Sequence, residues 1–545
     1  MLELDIRFFD SHRSPVMCRV APRWLRYRSS IRFCFVLVLT LLLLAVALPV
    51  RAQEPGALAA AMAMEKLLIE AIERSQQSVV AIGIFGQTGR RRYVGGFGRA
   101  RSGPSPPRPE LADVPDRFGT GVAIGERLIL TNHHVVLGDD EDASNQAGPS
   151  WDTFIRVAGH QQWLLCKVKA ADPRSDLAVL EIDAQESAAP KLEPIKFADA
   201  DQEVKKGQIV IALGNPYAIA RDGEVSASWG IVSNINRRVS ATSREQTERL
   251  QHYGGLIQTD AKLNLGTSGG ALINLQGEMV GLTTSVAATA GYETPAGYAI
   301  ACDAVFQRAL AALREGREVE YGLLGVKPRS EFVANGAEPP GVLVTSVVDQ
   351  VPANRVLDAG DVITHVDGRR LYAPGDLMMA IGRRAPGESV LVRFVTRTPQ
   401  GPRSLQRPVQ LNKFPVDGQQ VVTAPRPAWR GAHVDYPRAV PAMVSFLEDT
   451  LPSHCLEVTQ VDPDSPAAAA GIEPGTLIRE AAGRSLAGLR GSEIAMPANF
   501  REVVDSREGP VELYIRKPTS TGGFERVVVG VAAAAKEDQD AAAGE

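Results

Sequence analysis

Apolar positions in this chain fall mainly in short runs broken by Gly, Pro, Asn and Asp. From Phe118 onward such runs are Gly119–Ile124, Leu128–Thr131, Trp163–Lys169, Leu177–Ile182, Gln208–Leu213, Val225–Asn234, Leu256–Asp260, Ala271–Asn274, Met279–Thr284 and Gly297–Ala301. Many short strands with turn punctuation predict a mainly β domain, a barrel or sandwich pair. Two stretches carry the helical period instead. Gly56–Gln77 places Leu58, Met62, Leu67, Ile69 and Ile72 among good helix formers, and Ala304–Arg314 places Val305, Leu310 and Leu313 on one side. Ser78–Phe85 reads as a strand, and residues 86–117, rich in Gly, Arg and Pro without periodicity, read as a long loop insert.

The second half repeats itself. Tyr321-Gly322-Leu323-Leu324-Gly325-Val326, then Gly341–Val347, Ala359–Ile363 and Val366-Asp367-Gly368 have counterparts in Trp429–Val434, Leu456–Val461, Asp464–Ile472 and Pro474–Ile478. A spacing of roughly one hundred residues makes the repeated unit a domain, not a solenoid turn. These shifts set the expected boundaries: a helical segment at 53–77, a first domain at 78–316, repeats at 320–412 and 428–531, a Pro-containing linker at 413–427, and an Ala/Glu/Asp-rich tail at 532–545.

The first 52 residues stand apart. A basic stretch with Arg19, Arg23, Arg26, Arg28 and Arg32 precedes the apolar run 33–50 and a small-residue exit at Val50-Arg51-Ala52. That order is a secretory signal. The run is also long enough to be a retained membrane anchor, and both readings put the remainder outside the cytoplasm. At 545 residues the chain exceeds one core, and its net charge of -4 does not suit nucleic acid as a partner. The five cysteines show no metal-ligand or Cys-x-x-Cys spacing; Cys166 and Cys302 sit in apolar runs as core thiols.

Candidate chemistry centres on Leu265-Gly266-Thr267-Ser268-Gly269-Gly270. A serine among glycines can sit on a sharp turn, with the N–H groups of Gly266 and Ser268 aimed at one spot. Upstream, Thr131-Asn132-His133-His134-Val135-Val136 ends a strand with an imidazole, a candidate general base. Asp176 opens an apolar strand, where its carboxylate needs a donor. The chain order His, Asp, Ser is that of chymotrypsin, not of subtilisin or the α/β-hydrolases.

These segments, with Ala212–Pro216, Ser228–Ser233 and Ala296–Ile300, resemble the signatures of the HtrA/DegP family, trypsin-fold serine proteases that carry PDZ domains. The resemblance implies a double β-barrel protease domain followed by two PDZ-like α+β domains. It selects His134 over His133 as the base, with Asp176 orienting it, Ser268 as nucleophile, and Gly266 and Ser268 as oxyanion donors. Leu265 and Thr267 depart from the proline and asparagine common in the family. It points to Leu263, Leu282, Thr283 and Thr284 as walls of the primary substrate pocket, with small or medium aliphatic preference. Leu324, Gly325 and Val326 correspond to the carboxylate-binding loop of the first PDZ domain. Ala432-His433 in the second lacks the loop glycine. No metal or organic cofactor is implied. The implied partners are misfolded polypeptides and C-terminal peptides, the assembly a homotrimer or larger, and the location the periplasm or cell envelope. A silent protease serving as PDZ scaffold or holdase is the alternative; an esterase sits poorly with two peptide-binding modules.

Overall fold

A computed structural model describes residues 54–86, 108–110, 113–138, 151–199, 204–215, 223–237, 255–284, 297–329, 341–416, 418–437, 454–518 and 524–532. The leader and anchor reading, most of the 86–117 insert and the tail beyond Ala532 lie outside these residues. The chain divides into two compact units, Met1–Lys66 and Leu67–Glu545. Helix α1, Glu54–Ser75, begins in the first, where Leu58 and Met62 are exposed. In the second unit its last turns bury Ala71, and Ser75 Oγ donates to Gly277 O at 2.8 Å.

The first barrel is built from β1 (Val79–Gly86), β2 (Arg117–Ala123), β3 (Leu128–Thr131), β4 (Trp151–Arg156), β5 (Leu164–Asp172) and β6 (Leu177–Ile182). Its strand order is β5-β4-β1-β2-β3-β6, closed by pairing of β5 with β6. Val79, Val80, Ile82 and Ile84 give β1 the branched side chains that favour extended backbone, and every residue of that strand is buried. The strand β4 has no counterpart among the sequence-based expectations.

The second barrel contains β7 (Ile209–Gly214), β8 (Ser226–Arg237), β9 (Leu256–Thr259), β10 (Ala271–Ile273), β11 (Met279–Thr284) and β12 (Gly297–Ala301), closed in the order β10-β11-β12-β9-β8-β7. Helix α3, Ala304–Arg314, follows it. Asp303 caps its start, accepting from Val305 N and Phe306 N. The buried face is Phe306, Ala309, Leu310 and Leu313, so Phe306 takes the place expected for Val305. Apolar residues of both barrels and α3 share one core.

The two repeats fold alike. The first sheet runs Val326–Pro328, Val342–Val347, Val362–Val366, Ser389–Thr398, Gly401–Gln410; the second runs Ala432–Asp435, Leu456–Val461, Leu477–Ala481, Val511–Pro518, Phe524–Val531. Each has its own core, with helix Pro374–Gly382 in one and Pro497–Asp505 in the other. The segment between them is more than a connector. Val421 and Val422 pair antiparallel with Ala171 and Ala170, adding a strand to β5 at the edge of the first barrel.

Candidate active site

The end of β3 leads through Asn132 into a short helix α2, His133–Leu137. The exposed N–H groups of a helix start need acceptors. Here Asp176 supplies them. Its carbonyl receives Asn132 Nδ2 at 3.1 Å and His133 N at 3.0 Å, and its Oδ1 receives His134 N at 3.1 Å. Asp176 has φ 54, in the left-handed region that few side chains adopt and Asp tolerates better than most. The surrounding donors hold that conformation, as strained residues at functional sites require.

The same carboxylate holds the imidazole. His134 Nδ1 lies 2.9 Å from each oxygen of Asp176. Thr284 Oγ1 donates to Oδ2 at 3.2 Å. Asp176 is 1% exposed, so its charge is stabilised by these donors rather than by water. A proton on Nδ1, facing the carboxylate, leaves Nε2 with its lone pair, the form a general base needs. The His134 side chain stays 20% exposed.

Ser268 sits on the turn between β9 and β10, and three consecutive carbonyls of that turn are tied down. Thr120 Oγ1 donates to Gly266 O at 2.7 Å, Thr283 Oγ1 to Thr267 O at 2.5 Å, and Thr120 N to Ser268 O at 2.9 Å. Gly269 has φ 83, and a Cβ there would lie 2.1 Å from Thr120 O and 2.3 Å from Thr131 Oγ1. Only glycine allows so close an approach in that conformation. With the carbonyls engaged, the N–H groups of Gly266 and Ser268 have no acceptor among the described residues. They are two donors at one turn, the equipment of an oxyanion site.

The turn and the His–Asp pair share walls. Thr283 pairs with Gly269 and Gly270 through its backbone, and the next residue, Thr284, bonds Asp176. Thr120, on β2 of the first barrel, grips the turn from the other side. A Cβ placed on its neighbour Gly119 would touch Val135 Cγ1 at 2.6 Å and Ser268 O at 3.3 Å. The loops bearing His134, Asp176 and Ser268 therefore meet at the junction of the barrels. Thr120→Val removes a hydroxyl that donates to Gly266 O and accepts from Asn215 N at 2.9 Å. Two buried groups lose their partner, at about 1–3 kcal/mol each. The expected outcome is a lower melting temperature together with slower modification of Ser268, read by calorimetry and by labelling.

The pocket residues divide. Leu282 is fully buried in the shared core. Thr283 and Thr284 are also buried, and their hydroxyls hold the serine turn and Asp176. All of β11 is buried, which removes the alternation on which a wall could be read. Leu263 remains partly exposed beside Gly297. Thr120 and Thr131 had no signal in the sequence, since threonine in a strand marks nothing by itself.

The cysteines among the described residues are shielded from solvent. The thiols of Cys166, Cys302 and Cys455 are free and buried. Burial pushes Cys166 and Cys302 far above the usual thiol range and Cys455 up to about 11, so none is a thiolate at neutral pH. Close to Asp176, burial pushes the Arg174 guanidinium down to about 10, and it still keeps its charge at neutral pH.

The PDZ-like loops also differ from expectation. Gly325 has φ 77 and its carbonyl accepts from Val348 N at 2.8 Å; Leu324 is buried and Val326 begins the edge strand of its sheet. In the second repeat Gly431 has φ 84 and accepts from Asp462 N at 2.8 Å. The loop glycine is thus present, one residue before Ala432-His433. What differs is its closure. Trp429 and Ala432 exchange two backbone bonds of 2.8 Å, with Arg430 also at positive φ, which folds the loop back on itself.

Comparison with known proteins agrees with this architecture. A family model described as "Trypsin-like peptidase domain" matches residues 119–282, and one described as "PDZ domain" matches residues 322–397. The chain is 29% identical over 400 residues to the "Probable periplasmic serine endoprotease DegP-like" of Hahella chejuensis, covering 71% of this chain and 75% of that one. It is 30% identical to the protein so named from Chlamydia muridarum, covering 68% of each. The one so named from Brucella suis is 31% identical, with 66% of its length covered. Among solved structures, "HtrA-type protease AlgW with tripeptide" matches at 22% identity and TM-score 0.44, covering 63% of this chain and 96% of that one. The two-barrel fold, the peptidase and PDZ matches and the relatives agree: this chain belongs to the HtrA/DegP family of serine endopeptidases.

Proposed function

We propose that Ser268, His134 and Asp176 form the catalytic triad of an exported endopeptidase that degrades unfolded polypeptides in the cell envelope. The observation that carries this reading is the buried carboxylate of Asp176, both oxygens 2.9 Å from His134 Nδ1, at the same barrel junction as the clamped serine turn. Ser268 Oγ attacks the peptide carbonyl while His134 Nε2 takes its proton. The carbonyl oxygen, now negative, is held by the N–H groups of Gly266 and Ser268. His134 then gives the proton to the leaving amine, the acyl-enzyme forms, and water attacks it by the reverse route. Asp176 keeps the imidazole oriented and offsets its charge when protonated.

Leu263 supports a preference for small or medium aliphatic side chains before the cut bond. The leader pattern and the relatives named periplasmic support export, with removal after Ala52; a retained leader would anchor the protein through residues 33–50. The resemblance supports a homotrimer or larger assembly. The test is digestion of casein and of a reduced, unfolded protein beside its folded form. Cleavage of the unfolded substrates, blocked by a serine-directed phosphonate, is expected; digestion insensitive to the phosphonate overturns the reading.

The first PDZ domain is the one proposed to capture chain ends. Leu324 N and Gly325 N have no acceptor among the described residues, and an edge strand follows them. Such a site grips a terminal carboxylate and extends the sheet. Peptides ending in an apolar residue with a free carboxylate are expected to bind the Ser268→Ala protein. Their C-terminal amides are expected to bind at least about tenfold more weakly, because charge-assisted hydrogen bonds are lost. Equal affinity of acid and amide, measured by calorimetry, contradicts carboxylate capture.

A further inference from the structure

The segment between the two PDZ domains touches both loops that carry the His–Asp pair. Phe414, at its start, lays its ring on Arg174, with the guanidinium carbon 3.9 Å from the ring centre. Tyr321 covers the same guanidinium at 4.4 Å, and its backbone carbonyl accepts from Phe414 N at 2.7 Å. Arg174 is 7% exposed and stands two residues before Asp176. Five residues further along the segment, Gln419 O lies 2.7 Å from His133 Nε2. His133 is 6% exposed and is the residue immediately before His134. Val421 and Val422 then pair with Ala171 and Ala170 at the end of β5, where the chain turns toward Arg174. Thr423 closes the contact, its hydroxyl on Lys169 O at 2.7 Å and its N–H on Gly316 O at 3.0 Å. Val421 packs against the cluster that contains Val135, Val136 and Ala178.

A connector needs none of these bonds. Its contacts fall where they set two angles: the start of α2, through His133, and the turn into Asp176, through Arg174. We propose that residues 414–416 and 418–423 form a positioning strap for the catalytic pair, with His133 and Arg174 as the positioning residues it acts through. The strap makes the assembled triad depend on a segment outside the protease barrels. It rests on the reading of His134 and Asp176 as the catalytic pair. Displacing reacting groups by about an ångström costs up to about 10²-fold in rate without a matching loss of binding. The strap's contribution therefore lies in kcat.

The experiment uses the full-length chain, with a peptide ester substrate for kcat and KM and a fluorophosphonate for the rate of Ser268 modification. His133→Ala and Phe414→Ala are each expected to lower kcat and the labelling rate about tenfold or more, with KM within about twofold. His133→Gln, which keeps an N–H donor for Gln419 O, and Phe414→Tyr, which keeps the ring on Arg174, are expected to recover most of the loss. Melting temperatures are measured alongside. If both alanine variants melt earlier yet keep wild-type kcat and labelling rate below their transitions, the strap is merely structural and the proposal fails. Failure of the underlying reading looks different: wild-type protein that is active but never modified at Ser268.

Discussion

Ser268→Ala is expected to abolish peptide-bond cleavage while leaving the fold and peptide binding in place. The serine is small and only 6% exposed, and the turn that holds it is bonded through backbone atoms of Gly266, Thr267 and Ser268, none of which the change removes. The melting temperature should move little. Removing the nucleophile of a triad lowers kcat by about 10⁶-fold, because base and carboxylate have nothing to activate. The variant also separates the two functional classes. A holdase or scaffold keeps its protection of unfolded protein in a light-scattering assay and shows no cleavage to lose. A protease loses casein digestion. Wild-type cleavage that survives in Ser268→Ala assigns the activity to another nucleophile.

Asp176→Asn is expected to lower kcat/KM by about 10⁴-fold with no comparable loss of stability. The carboxylate accepts from His134 N, His134 Nδ1 and Thr284 Oγ1. An amide has one accepting oxygen and one donating nitrogen in the same volume. If the amide N–H faces Nδ1, the imidazole proton shifts to Nε2, where it can no longer take the proton of Ser268. The loss should appear in kcat, with KM nearly unchanged, and fluorophosphonate labelling should slow in parallel. A variant with near wild-type kcat would mean that the Asp176–His134 contact is structural only.

Much of the proposed site was legible because nucleophilic catalysis draws on compact local patterns. A glycine-flanked serine, a histidine closing a strand and an aspartate opening one are local patterns, and their order along the chain restricts the arrangement. Apart from β4, the strands of both barrels followed from short apolar runs, and the duplicated domain from its spacing. The misses share a different cause: they depend on which distant segments meet. Thr120 clamps the serine turn from another barrel while Thr131 Oγ1 donates to its carbonyl, and nothing near them in sequence announces it. The strand at Val421–Val422 is two residues long within a Pro-containing stretch and exists only because β5 offers its edge. Gly431 was hidden by a two-residue offset between the repeats that pairing of Ala432 with Val461 makes plain.

The PDZ domain, the second repeat and the protease are joined by polar contacts as well as by the strap. Arg383 at the end of helix Pro374–Gly382 pairs with Asp303, the residue that caps α3, at 2.5 Å. Lys413 bonds Glu318 and Asp435, each at 2.7 Å, bridging the approach to the PDZ domain and the start of the second repeat. These pairs are partly shielded, so their geometry fixes orientation more than it adds stability.

The most direct test of the account is covalent labelling of the purified protein with a fluorophosphonate, followed by peptide mapping. A single adduct on Ser268, absent from Ser268→Ala and strongly slowed in Asp176→Asn, is the result predicted. An adduct on a different residue, or none on folded protein that still cleaves casein, would contradict it.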